Sequence, residues 1–157
     1  MNPRPRGPLD PQRKDLVASF DILEAAVRQI NESVRPDFVV ITGDLVDRPG
    51  DAASLRRVKG ILDKLTCPYY PVIGNHDSRA DWRTVFGADR LCYAFARGGW
   101  RFLALDSSSI RVDGDGLVWL RERLAEDAAT PTAVLLHHPL VIPELYREGF
   151  RRLYGAE

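Results

Sequence analysis

One pattern, met three times, constrains the fold more than anything else in the chain: a short run of β-forming apolar residues that stops at a polar turn. Phe38-Val39-Val40-Ile41 runs into Gly43-Asp44-Leu45-Val46-Asp47, Tyr69 to Ile73 into Gly74-Asn75-His76-Asp77, and Ala133-Val134-Leu135-Leu136 into His137-His138-Pro139. Apolar runs this short read as buried strands. Asp44, Asn75 and His137 should then emerge together at the carboxyl edge of one sheet, where open α/β sheets hold their ligands. All three histidines of the chain fall in these turns.

The segments between the strands read as helices. From Asp15 to Val34, Leu16, Phe20, Leu23, Val27 and Ile30 recur at steps of three and four and draw one apolar stripe, which Pro36 ends. A second stripe follows the first strand, with Asp51 as N-cap and Leu55, Val58, Leu62 and Leu65 on its buried face. Strand, helix, strand at this spacing predicts a parallel pair joined by a crossover. Leu91 to Phe95 and Trp100 to Leu105 read as a hairpin around Arg97-Gly98-Gly99, so an antiparallel element joins the sheet. Leu117, Leu120 and Leu124 mark a further helix before the 133–136 strand, and Pro143 to Tyr154 could make a last short one. The fold class is α/β.

Bulk properties narrow the classes of function. At 157 residues and 45% hydrophobic composition the chain suits one domain with its own core. The 22 Lys and Arg balance the 22 Asp and Glu, so no overall field draws it to nucleic acid or an anionic membrane. Its apolar runs are too short to span a bilayer and its first residues lack a signal peptide's apolar core, which makes the cytoplasm the simplest location. Residues 1–14, with Pro3, Pro5, Pro8 and Pro11 among Arg4, Arg6 and Gly7, read as a flexible Pro/Arg-rich segment ahead of a domain over 15–157. Cys67 and Cys92 are too isolated for a Cys-x-x-Cys metal site and read as reduced core thiols.

The turns also carry chemistry. A carboxylate can bridge two divalent cations, while an amide oxygen and a neutral imidazole nitrogen each fill one position, a mixture that first-row transition metals accept. Asp44, Asn75 and His137 offer those three groups. Two such ions roughly 3.5–4 Å apart can activate a water and clamp the attacking and leaving oxygens of an in-line phosphoryl displacement.

With Pro36 to Asp47, Gly74 to Asp77 and Val134 to Pro139 in this order, the chain resembles the calcineurin-like metallophosphoesterases. Leu105-Asp106-Ser107-Ser108 and Trp119-Leu120 are similar in particular to the branch of class III cyclic-nucleotide phosphodiesterases and glycerophosphodiesterases. The resemblance runs from about Leu16 to Pro143 and implies part of an α/β/β/α sandwich, a mixed sheet with helices on its outer face. It implies hydrolysis of a small phosphodiester, of cyclic-nucleotide or glycerophosphodiester type, by a bridging hydroxide between two divalent metals (Mn, Fe or Zn). Asp44 would bridge, Asn75 and His137 would bind the second metal, His76 would stabilise or protonate the leaving oxygen, and Asp77 would orient His76. Asp47 and His138 would stand beside the ligands or face the substrate.

Family members also open with Asp-x-His and close with Gly-His-x-His, and this sequence contains neither. The expectation is therefore a domain incomplete at both ends, one metal held weakly, and little activity from the chain as given. The alternative is a catalytically impaired remnant or incomplete gene product acting as a binding or structural module. Exposed sheet edges would then favour self-association. Other polar clusters invite blander readings. Asp106-Ser107-Ser108-Ser109 lacks nucleophile-elbow glycines and reads as a side-chain-capped turn. Asp113-Gly114-Asp115-Gly116 lacks a calcium loop's twelfth-position Glu, and Arg147, Arg151 and Arg152 read as a solvated face.

Overall fold

A computed structural model describes residues 16–139. The Pro/Arg-rich segment, the short helix expected over 143–154 and its three arginines lie outside the described residues.

Helix α1 (Leu16–Gln29) continues into a wide π turn over Ile30–Val34 and stops where Arg35 turns left-handed, its N–H donating to Ile30 O at 2.8 Å. Strand β1 (Val39–Ile41) follows, then α2 (Ala52–Leu62), whose N-cap is Asp51: the side chain accepts from Ser54 N at 2.9 Å. Leu55, Val58, Ile61 and Leu62 are buried on α2. Val58, Ile61 and Leu62 meet Val27 of α1, with Phe20, Leu23 and Leu65 packed round them. Leu55 turns the other way, to Val46, Ile73 and Trp82. Strand β2 (Tyr69–Pro71) pairs parallel with β1 in the register Val39↔Tyr69, the crossover that the spacing predicts.

Helix α3 (Arg79–Phe86) has no counterpart in the reading of the sequence. Ser78 caps it, and Trp82, fully buried, anchors it to α2 while its Nε1–H donates to Arg90 O at 3.0 Å. Strands β3 (Tyr93–Arg97) and β4 (Trp100–Ala104) form the expected hairpin, with Gly98 and Gly99 both at positive φ (56° and 79°) as a two-residue turn of this hand requires. Helix α4 (Gly114–Glu126), capped by Asp113, leads to β5 (Thr132–Leu135), which pairs parallel with β4. Leu117, Val118 and Leu124 of α4 are exposed, so the Leu117-Leu120-Leu124 spacing marks the helix without marking a buried face.

The expectation of one sheet needs correction. Among the described residues there are two: β1-β2, and β3-β4-β5. Pro71 supplies a physical reason. The N–H of Val72 points at β1, donating to Ile41 O at 2.7 Å, so position 71 faces the outer edge of β2, where proline has no N–H to offer another strand. The hairpin meets the first sheet through rings instead. Phe38 lies edge-on to Tyr70, Phe95 and Phe102 at 6.0, 5.8 and 5.2 Å, and Tyr93 Oη donates to Pro71 O at 2.8 Å. No described helix is long and apolar enough to cross a membrane.

Candidate functional site

Two tight turns make the site, and glycine is a steric requirement in both. The chain leaves β1 through Gly43 (φ +99°) and Asp44 (φ +57°), a left-handed conformation that Asp tolerates better than most residues. A Cβ on Gly43 would come within 2.7 Å of His137 Nδ1 and 2.8 Å of Gly74 Cα. A Cβ on Gly74 would fall on the backbone nitrogen and the carboxylate of Asp44. The turns after β1 and β2 thus touch backbone to backbone.

Asp77 ties them together. Its Oδ2 accepts from Gly74 N at 2.9 Å and Asp44 N at 3.0 Å, and its Oδ1 accepts from Leu45 N at 2.9 Å and Val46 N at 3.3 Å. The residue is 3% exposed, and this burial pushes its carboxyl above the usual range against the pull of the backbone N–H groups. The expectation that Asp77 orients His76 is therefore corrected, because its oxygens are engaged by backbone. His76 Nδ1 instead lies 2.7 Å from the carbonyl oxygen of Asp47.

The other two histidines are held alike: His137 Nδ1 is 2.6 Å from Thr42 O, and His138 Nδ1 is 2.8 Å from Ser107 O. A carbonyl oxygen can only accept, so in each ring Nδ1 carries the hydrogen. Nε2 is in every case the ring nitrogen turned away from the backbone anchor.

His137 Nε2 stands 3.1 Å from Asn75 Oδ1 and 3.4 Å from Asp44 Oδ2, in an arrangement open to solvent. The structure thus brings Asp44, Asn75 and His137 together, although they come from two sheets. The other carboxylate oxygen of Asp44 accepts from His76 N at 3.0 Å. An imidazole nitrogen, an amide oxygen and a carboxylate oxygen face one another across these distances, a grouping that a proton on Nε2 or a cation among them would hold together. The donor set suits a divalent transition ion. Among the described residues no three His, Cys, Asp or Glu side chains converge, the third donor here being an amide.

A cavity of about 620 Å³ opens beside Asp44, Asp47 and His76 and runs between α1 and α2 past Phe20, Leu23 and Val58. Asp47 sits 3.6 Å from Arg48 Nε and serves His76 with its carbonyl. His138 leans away from that cavity into a second one. Reading the sequence missed the tie that holds this side: Arg79, first residue of α3, pairs with the buried Asp106 at 2.6 Å and reaches Asp113 at 3.3 Å. Asp106 also accepts from Ser108 N at 2.9 Å and Ser108 Oγ at 2.6 Å, the side-chain-capped turn that the sequence suggests. The one advance signal for Arg79 was its place just after the Gly-Asn-His-Asp turn.

Two strand-end turns clasped by a buried carboxylate, with oxygen and imidazole groups from three strand ends, define an α/β protein with its candidate site at one edge of its strands. The chain belongs to the calcineurin-like phosphoesterase family, which matches residues 15–157. It is 37% identical over 114 residues to a "probable cyclic nucleotide phosphodiesterase" of Synechococcus sp., covering 68% of this chain and 44% of that protein. A cAMP/cGMP dual specificity phosphodiesterase of Mycobacterium tuberculosis is 34% identical over 141 residues, covering 78% and 43%. The glycerophosphodiester phosphodiesterase GpdQ of Enterobacter lignolyticus is 32% identical over 121 residues, covering 67% and 42%. The chain spans less than half the length of these curated relatives. The crystal structure of a dimetal phosphatase from Danio rerio shares the fold, with TM-score 0.61 at 18% identity over 79% of this chain and 61% of that one.

Proposed function

We propose that this protein hydrolyses a phosphoester with the help of divalent metal, and that the ester is a phosphodiester of the cyclic-nucleotide or glycerophosphodiester kind. The approach of Asn75 Oδ1 and Asp44 Oδ2 to His137 Nε2, at 3.1 and 3.4 Å, carries the reading, and the relatives named as phosphodiesterases supply the substrate class. Asp44, Asn75 and His137 would hold one ion (Mn, Fe or Zn by donor type) and Asp44 would be shared with a second, such ions supplying charge to the phosphoryl oxygens and an activated water.

This chain's own residues do the rest. Thr42 O fixes the ring of His137 so that its lone pair faces the cluster. Asp77 keeps the two turns at the spacing the cluster needs. Asp47 O fixes the ring of His76 through Nδ1–H, and in the imidazolium form Nε2 would carry a second proton to give to the leaving oxygen. The same reading takes residues 15–157 as one domain, working in the cytoplasm without a nucleic-acid or membrane partner.

Calorimetric titration of the full-length protein with Mn²⁺ or Zn²⁺, beside turnover of diesters with poor and good leaving groups, tests it. His137→Ala and Asn75→Ala should weaken metal binding. His76→Ala should leave it in place yet lower the rate on a poor leaving group by on the order of 10²–10⁴, and by less with p-nitrophenolate. Metal affinity untouched in His137→Ala would overturn the site, and metal-loaded protein that cleaves no diester would move the reading to a binding module.

A further inference from the structure

We propose that the cavity beside His138 is the subsite for the organic substituent on phosphorus, and that His138 reads a hydroxyl there; this rests on the hydrolytic reading above. His137 and His138 lie in the bend just past β5, where successive side chains need not alternate between faces. Their rings are 4.6 Å apart, edge to face. His138 thus touches the ring of His137 on the one hand and on the other lines a cavity of about 170 Å³, walled also by Ile110, Val112, Leu117, Leu136 and Pro139, with Ser107 and Arg111 at its side.

Three features make it a built pocket. His138 is held twice by Ser107, its N–H donating to Oγ at 3.0 Å and its Nδ1–H to the carbonyl at 2.8 Å, and Ser107 is itself buried. The adjoining loop is pinned by Arg79 to Asp106 and Asp113. Ile110, a β-branched residue, is kept at φ +67° with 70% of its surface exposed, where a left-handed backbone is costly. Its N–H donates to Ser107 O at 2.9 Å, closing the turn that presents the pocket wall.

With Nδ1–H held by Ser107 O, Nε2 is the ring nitrogen left to meet a ligand, and a hydroxyl, which can both donate and accept, is a partner for it. Apart from Ser107, Arg111 and His138 the described walls are apolar, and the volume falls below the roughly 300–1,000 Å³ of pockets for drug-sized ligands. The chemistry selects a hydroxylated alkyl group of a few heavy atoms, and excludes a nucleoside from this pocket.

The test compares kcat/KM of the full-length, metal-loaded protein for glyceryl, methyl and thymidine p-nitrophenyl phosphates. Wild type should prefer the glyceryl ester to the methyl ester by about tenfold, the scale of discrimination expected from one or two pocket contacts, and should not prefer the thymidine ester to the glyceryl one. Leu117→Trp, at a half-exposed wall where bulk does not disturb the core, and His138→Phe should each bring the glyceryl-to-methyl ratio toward one. His138→Gln, which keeps an acceptor, should retain part of it. A ratio near one in wild type, a ratio unmoved by both variants, or preference for the thymidine ester overturns the subsite while leaving hydrolysis intact. If no ester is cleaved, hydrolysis itself fails. The subsite is then read by NMR titration: tighter binding of glycerol 3-phosphate than of methyl phosphate, lost in Leu117→Trp, supports it, and equal binding overturns it.

Discussion

Asp77 shows how one carboxylate can define a site without touching its reaction. It gathers N–H groups from Gly74 and from Asp44, Leu45 and Val46, so removing its charge strips both turns at once. Asp77→Asn sets an amide NH₂ against backbone donors that need acceptors. The expected cost is about 3 kcal/mol of stability, from charged acceptors worth about 1.5–3 kcal/mol each and partly replaced by the remaining amide oxygen. Metal affinity should fall as well, on the order of 10–100-fold, the scale seen when groups supporting metal ligands are changed. Denaturant unfolding and metal titration of the one variant check both numbers, and loss of neither would remove Asp77 from this role. Asp44, Asn75 and His137 could be picked out in the sequence because each stands within a few residues of the end of an apolar run, a local signal. The partners of Asp77 could not: three of its four donors lie 31 to 33 residues upstream, whereas its neighbour His76 suggested a local partnership.

Among the elements, α3 escaped notice because it is short, with Trp82, Val85 and Phe86 giving barely one turn of apolar spacing, yet it carries much of the support. Its cap Ser78 directly follows Asp77, and its Trp82 has 0% exposure. Trp82→Ala should cost about 3–5 kcal/mol and lower metal affinity by loosening the turn that its helix anchors. Unfolding and titration would show this, and a purely local role would leave affinity unchanged. At the other side of α2, Asp63 accepts from Lys59 Nζ at 2.8 Å and from Tyr69 Oη at 2.6 Å. The Asp63 carboxyl is held below its usual value by Lys59 and then Tyr69, and the Tyr69 phenol is held above its usual value by burial and then by Asp63. The depressed acid stabilises fully above its unfolded pKa and loses that contribution as pH falls. The raised phenol stabilises fully below its unfolded pKa and loses its contribution as pH rises. Tyr69→Phe should thus cost about 0.5–1 kcal/mol between about pH 4 and 10, and less at either extreme. Thermal unfolding across pH would reveal the window, and a pH-independent difference would contradict it. The helix expected from Leu117, Leu120 and Leu124 formed, but its exposed apolar residues show that spacing alone does not tell which face is covered.

For the molecule as a whole, the division into two sheets decides how strand ends meet. The sequence made five strands and their order visible, but the outward direction of Pro71 depends on register, which no local pattern reveals. Among the described residues β1 pairs only with β2 and β5 only with β4, and formal net charge is zero. Unpaired edges with no net repulsion favour association. The chain of residues 1–157 should therefore self-associate with rising concentration in sedimentation velocity, and a single monomer species throughout would refute this. Finally, the three imidazoles are moored to main-chain carbonyls of Thr42, Asp47 and Ser107, atoms that every residue type possesses. Exchanging the Thr42 or Asp47 side chain leaves the mooring atom where it was, so ring orientation is insulated from point mutation at its own anchors. Only a change in the path of the backbone, or replacement of the amide by an ester with its weaker acceptor, could set these rings free.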